Sequence, residues 1–446
     1  MTDFNFDEMT QRRGTLSMKW DGSVDPDVIP MWVADMDFKT APAVTEAVVR
    51  RAAEGIYGYT HVPPAYYEAI VGWFGRRHGW TIDPAWILYT SGVVPALSAT
   101  IKANTKPGDK VVISTPVYNC FFSSIRNNGC NIVECPLKSE GDTWGFDWAA
   151  LERAFADPGV KTYVLCNPHN PAGRVWTAAE LTLLAALADQ YGILVIADEI
   201  HGEFVFGNTP YTPYASVTAH NPKKTVTLSS ASKTFNLAGL QNAFIVAESA
   251  EQRRKIDRAI NDNECCDVNP FGVAATIAAY NEGEAWLYAL LAYLHDNARV
   301  TTDWFKKTCP AVTFSRLEGT YLMWADCRSL RMTSQTIEDE LLLSKNCNRW
   351  LLTSKFLPKN TTRSNCATSP KKTQTPLRST RIRKTKNLRK STSTTCSRLT
   401  TLTKAICSAT ICSTTATLIS ITIFSRIWPT TRRTMLSKEV SELCMN

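Results

Sequence analysis

Short apolar runs and longer amphipathic stretches alternate along the first 330 or so residues, the pattern of a mainly parallel sheet wrapped by helices. Residues 110–114, 161–165, 194–197, 225–229 and 243–247 read as strands. Between them, 177–191 (TAAELTLLAALADQY) carries Thr177 at an N-cap position, Glu180 three residues on, and apolar residues at helical spacing. Residues 95–104, after the turn SGVV, and 251–261 read as further helices. In an open α/β sheet, ligands lie beyond the carboxyl ends of the strands. Three polar residues fall at such ends: Asn170 after 161–165, Asp198 after 194–197 and Lys233 after 225–229.

Each of these residues has a chemistry to offer and also a plainer reading. Lys233, in SSASKTFNLAG, is a primary amine beside a hydroxylic run; it could hold a carbonyl cofactor as a Schiff base, or be a solvated surface lysine. Asp198 follows the apolar run LVIA, so its carboxylate is partly desolvated and calls for a cation such as a protonated pyridine nitrogen; the alternative is a helix N-cap. His201 could reach a ring oxygen or be an ordinary loop histidine. Asn170 stands between two prolines in CNPHNPAGR, where the fixed turn could aim its amide, though Asn-Pro turns are plentiful. Gly92, Val93 and Val94 precede a helix whose free N–H groups favour a phosphate. Tyr118, in STPVYN, could stack on a flat cofactor or be a half-buried core tyrosine.

In this order and at these separations, the motifs resemble those of fold-type I pyridoxal phosphate (PLP) enzymes. The closer resemblance is to MalY/PatB-type cystathionine β-lyases, the carbon–sulfur lyase branch of the class I and II aminotransferase group. It is carried by WVADMDFKTAP, YGYT, SGVVPAL, TPVYN, CNPHNPAGRVWT, ADEIH, SASKTFNLAGLQNA and GTYLMWADCR, across residues 1–330. The resemblance implies an α/β fold with a seven-stranded, mainly parallel sheet in a large domain and a smaller α+β domain. It implies Lys233 as the cofactor lysine and the base at Cα, Asp198 on the pyridine nitrogen, Asn170 and His201 near the 3-oxygen, and Tyr118 on the ring. The phosphate would be held by N–H groups of Gly92, Val93 and Val94, by Ser230 and Ser232, and by Tyr59 of a second subunit, making a homodimer with shared sites. The broader aminotransferases carry an arginine eight positions after the lysine; Gln241 stands there, as the lyase branch implies. Arg363 is the candidate clamp for the carboxylate of a small amino-acid substrate, although the glycines expected around it are missing. An aminotransferase on the same fold, and a PLP-fold binding or regulatory protein without turnover, are the alternatives.

Charge changes the picture only when the chain is divided. The net charge of +8 conceals 20 Lys and Arg against 2 acidic residues in 341–446, which leaves residues 1–340 at −10. All 21 glycines fall at or before Gly319, whereas a folded lobe needs glycine at turns and helix ends. The resemblance implies an N-terminal segment, 1–45, joining the small domain, a large cofactor-binding domain, 46–285, and the small domain, 286–372; the charge and glycine pattern marks the last as degraded after about 340 and leaves an anomalous basic Ser/Thr-rich tail, 373–446, disordered or frame-shifted. The run 378–390 resembles a nucleic-acid tail and the uncharged 405–424 a membrane segment, but neither partner is expected: the first reads as a solvated run, the second is rich in Ser and Thr. The 14 cysteines lack metal-ligand spacing and read as reduced thiols. The opening MTDFNFDEMTQRRG has no apolar signal region, so a cytoplasmic location is expected.

Overall fold

The structure is a computed structural model. It describes residues 4–337 apart from 9, 23–29, 31–32, 208–209, 219–221, 263, 265 and 335, together with the backbone at 410–411 and 418–422. In chain order, the central strands are β1 (Ile87–Thr90), β2 (Lys110–Ile113) and β3 (Asn131–Glu134). After a separate hairpin of β4 (Lys138–Glu140) and β5 (Thr143–Gly145) come β6 (Val160–Cys166), β7 (Leu194–Asp198), β8 (Thr225–Ser229) and β9 (Ala243–Val246). They form a seven-stranded sheet in the order β1-β9-β8-β7-β6-β2-β3. Only β9 runs against its neighbours, pairing antiparallel with both β1 and β8. The carboxyl ends of β1, β2, β6, β7 and β8 consequently emerge along one edge.

Side-chain alternation explains why both faces need cover. Val111, Ile113, Val164, Leu194 and Ile196 join one buried cluster, with Leu97 and Ile101 from the helix Val93–Asn104 and Ile256 from a helix at Ala250–Asn261. Their neighbours Val112, Tyr163, Leu165, Val195 and Ala197 join another, with Leu181 and Leu184 from the helix at Ala178–Gln190. A strand buried on both faces reads as a continuous apolar run, which is why these strands are plain in the sequence. Thr177 caps Ala178–Gln190 in a full capping box with Glu180, as the spacing predicts. The helix Val93–Asn104 begins two residues earlier than expected, because Pro95 falls in its first turn, where a missing N–H costs nothing.

A third buried cluster lies under Pro42–Ala53, Pro64–His78, Pro270–Glu282 and the 25-residue helix Glu284–Thr308. Beyond these, β10 (Thr313–Phe314), β11 (Leu322–Asp326), β12 (Thr410–Ile411) and β13 (Leu418–Thr422) form a four-stranded sheet in the order β10-β11-β13-β12. Among the described residues no helix is long and apolar enough to cross a membrane.

Gly319 lies where three loops meet. Its N–H donates to Gly173 O at 2.8 Å, and Thr320 N–H donates to Phe204 O at 2.9 Å. A Cβ on Gly319 would stand 2.6 Å from Val175 Cγ2 and 2.8 Å from Pro168 Cβ, so only glycine allows this approach. The contact brings Tyr321 edge-on to His201, with ring centroids 5.2 Å apart.

Candidate active site

Lys233 sits in a one-turn helix, Ala231–Thr234, that leaves the end of β8 and is capped by Ser230. Its amine donates to Ala34 O at 2.9 Å. Burial holds the amine below the ordinary lysine range, against the opposing pull of Asp35, Asp198 and Cys120. A lysine so placed is closer to neutrality, and hence to nucleophilicity, than one in water.

Asp198 ends β7 and is 6% exposed. Its carboxylate accepts one hydrogen bond, from Ile200 N–H at 3.2 Å, and forms no ion pair among the described residues. Burial therefore pushes its pKa up to about 7, with the Ile200 bond and the Lys233 charge pulling the other way. Burial pushes the neighbouring Glu199 up to about 7 as well, but its partners differ. Asn167 Nδ2 at 2.9 Å, Tyr214 N–H at 2.8 Å and the Tyr211 hydroxyl at 2.7 Å all donate to Glu199, so its hydrogen-bonding needs are met within the fold. His201 is buried, has no hydrogen-bond partner at Nδ1, and is pushed down to about 3 by burial and then by Lys233. It is a neutral imidazole with one nitrogen to spare. The cofactor expected from the sequence fits this set: a protonated pyridine would give Asp198 its missing cation.

Most of the remaining candidates follow the carboxyl ends of strands in the same sheet. Gly92 precedes the helix Val93–Asn104 in extended conformation, and the N–H groups of Val93 and Val94 open that helix, where a helix leaves its first donors free. Ser230 donates its hydroxyl proton to Asn242 O at 2.5 Å while accepting from Ser232 N–H at 3.0 Å. That proton is committed, which leaves the Ser232 hydroxyl as the freer donor of the two. Asn170 follows β6, its backbone N–H on Cys166 Sγ at 3.3 Å, with the loop closed by Gly173 N–H on His169 O at 2.9 Å. Tyr118 stands before the helix Asn119–Asn127 after the end of β2, 36% exposed, and burial is the main cause of its raised pKa. Tyr59 is 100% exposed and Gln241 is an exposed residue in left-handed conformation with φ of 46°. Arg363 lies outside the described residues.

Residues 26–377 match the family described as aminotransferase class I and II. The chain belongs to that family. The match runs past residue 330, where the sequence motifs end. The chain is 36% identical over 342 residues to cystathionine β-lyase PatB of Bacillus subtilis, covering 76% of this chain and 88% of that one. Its fold resembles cystalysin from Treponema denticola, a structure that contains pyridoxal 5′-phosphate, with a TM-score of 0.74 and 31% identity over 77% of this chain and 89% of that one. It also resembles the PLP-bound C–S lyase of Staphylococcus hominis, with a TM-score of 0.69 and 33% identity over 74% and 83% of the two chains. The architecture is that of fold-type I PLP enzymes, as the motifs imply.

Sequence reasoning missed the residues that reach the site from afar. Asn236, three residues past Lys233, bonds the backbone at Met36 and Phe38, and Ala34 and Asp35 belong to the quoted motif WVADMDF without having been singled out. Two carboxylates within an apolar run were the available signal there. Tyr321 likewise lies within GTYLMW, where family likeness is the signal and no local chemistry marks it.

Proposed function

We propose that this chain is a PLP-dependent C–S β-lyase that cleaves L-cystathionine, or a related cysteine S-conjugate, to a thiol, pyruvate and ammonia. The observation that carries the reading is a buried carboxylate, Asp198, with no ion pair among the described residues, near enough to a desolvated lysine to feel its charge, in a chain whose relatives include β-lyases. Lys233 would hold the cofactor's carbonyl carbon, and Asp198 its pyridine nitrogen. Asn170 and His201 would lie beside the ring oxygen and Tyr118 over the ring. Gly92, Val93, Val94, Ser230 and Ser232 would hold the phosphate, joined by Tyr59 from the second subunit of a homodimer. Arg363 would bind the substrate carboxylate. Residues 46–285 would form the large domain and 1–45 with 286–372 the small one, in a cytoplasmic enzyme.

When bound, PLP supplies an electron sink conjugated to the substrate's Cα, so that a pair released there can be returned to expel a β-substituent. The chain's part begins with Lys233. Its low basicity lets the amine be neutral when it takes the Cα proton, and the Ala34 carbonyl at 2.9 Å is the acceptor that orients it. Raised to about 7, the Asp198 carboxyl is only partly ionised at neutral pH without a partner; opposite the pyridine nitrogen it would be fully charged and would hold that nitrogen protonated. Neutral His201 donates or accepts without adding charge beside the ring. Breaking the Cβ–S bond releases the thiol, and the three-carbon fragment hydrolyses to pyruvate and ammonia.

Incubation of the purified chain with L-cystathionine and no keto acid tests the reading. The expected result is catalytic release of pyruvate and thiol, with a visible absorbance that borohydride abolishes as it fixes the cofactor's mass on Lys233. Turnover that requires a keto acid would make the chain an aminotransferase instead, and colourless protein that gains no band with added PLP would overturn the assignment.

A further inference from the structure

Residues 33–38 form a strap without helix or strand, held from two sides. On the active-site side, Lys233 Nζ donates to Ala34 O at 2.9 Å. Asn236 accepts from Met36 N–H and donates to Met36 O and Phe38 O, each at 3.1 Å. On the far side stands a cluster from the N-terminal segment. Asp37, 8% exposed, accepts from Lys19 Nζ at 2.9 Å, Arg12 Nη1 at 3.0 Å and Trp20 Nε1 at 2.8 Å. Lys19, 1% exposed, also donates to Asp35 O at 2.9 Å, and Arg12 donates to Met36 O at 2.6 Å and to Asp35 Oδ2 at 2.8 Å.

We propose that the Arg12–Lys19–Trp20–Asp37 cluster is a positioning device for Lys233, fixing the strap so that the Ala34 carbonyl is in place to hold the lysine amine. Charge burial alone does not explain the cluster, since apolar residues of similar volume stabilise a fold as well or better. Fixed direction does. The carbonyls of Asp35 and Met36 are satisfied by side chains rather than by a ladder, so those side chains decide where the strap lies. Met36 O is the joint, receiving Arg12 from one side and Asn236 from the lysine loop on the other. These are positioning residues; none touches the reacting atoms.

The inference rests on the lyase reading only for its effect on turnover, so the test has two arms. Amide hydrogen exchange on the purified full chain reads the strap directly. Lys19→Met and Asp37→Asn should speed exchange at the Met36 amide by about tenfold or more, with the amides of β7 unchanged. Lys19→Arg should restore protection. Trp20→Phe, which keeps the ring and removes a single donor, should act in the same direction but less. In the assay with cystathionine, kcat should fall by about tenfold or more in Lys19→Met and Asp37→Asn while borohydride capture of the cofactor on Lys233 is kept. Unchanged Met36 protection in folded Asp37→Asn and Trp20→Phe would overturn the proposal. So would faster exchange with kcat at the parent's level. A parent chain that takes up no cofactor would sink the lyase reading, while the exchange arm still decides whether the cluster fixes the strap.

Discussion

Asp198 and Glu199 are adjacent buried carboxylates, both pushed up to about 7 by burial, yet the fold gives them different partners. Glu199 receives three donors from Asn167, Tyr211 and Tyr214, whereas Asp198 receives one long bond. In the folded, cofactor-free chain Asp198 keeps its proton up to about pH 7, while unfolded it releases it near the ordinary value of 3.8. Between those pH values the folded state binds more protons, so the contribution of Asp198 lowers stability as pH rises from about 4 to 7. Asp198→Asn removes that titration. In cofactor-free protein it should raise stability at pH 8 by as much as about 4 kcal/mol, with the difference vanishing below about pH 4. Urea melts at the two pH values read this directly, and a destabilised Asn variant at pH 8 would contradict it. The same substitution deprives the pyridine nitrogen of its partner. Losing one side of a buried charge pair, about 2–5 kcal/mol, should lower kcat by about 30- to 5000-fold. One residue thereby trades stability for chemistry.

At the scale of elements, the site depends on loops fastened to one another at the carboxyl edge of the sheet. Gly319 makes the tightest of these joints, and Gly319→Ala would drive a methyl against Val175 and Pro168. A cost of about 1–3 kcal/mol in urea unfolding is expected from the overpacking, together with a loss of β-elimination as Tyr321 moves away from His201. Wild-type stability and turnover in that variant would show that the loops can part without consequence. This joint marks what was legible in the sequence and what was not. Strands β2, β6, β7 and β8 were read to within a residue because burial on both faces makes continuous apolar runs. The two edge strands, short β1 (ILYT), half of it only partly buried, and β3 (NIVE), with no buried residue, do not show as apolar runs. Nothing in residue alternation encodes the reversed direction of β9. Lys233, Asp198 and Asn170 were legible because a polar residue after an apolar run is a local signal. Asn236 was not, because its bonds to the strap span about 200 positions and local periodicity carries no record of such a contact.

For the whole molecule, the question is what covers the surface around Tyr59. The ring is 100% exposed, and Ile56 at 77% and Tyr57 at 60% extend the apolar patch along the same loop. A side chain in full contact with solvent cannot bind a phosphate in its own subunit's pocket, so its proposed role requires a second copy. A two-fold dimer supplies one, because each subunit's loop can then reach the other's site. Complementation tests this without a structure of the dimer. Lys233→Ala should be inactive, since its own lysine is gone, and Tyr59→Ala should bind PLP weakly, since each subunit then deprives its partner's site. Unfolded together and refolded as an equal mixture, half of the dimers should be mixed, and each mixed dimer has one site with its own Lys233 and the partner subunit's Tyr59. About one quarter of all sites should therefore recover parent-like β-lyase activity. If Tyr59 instead served its own chain, no combination would assemble an intact site, and the mixture would be no more active than the Tyr59→Ala protein it contains.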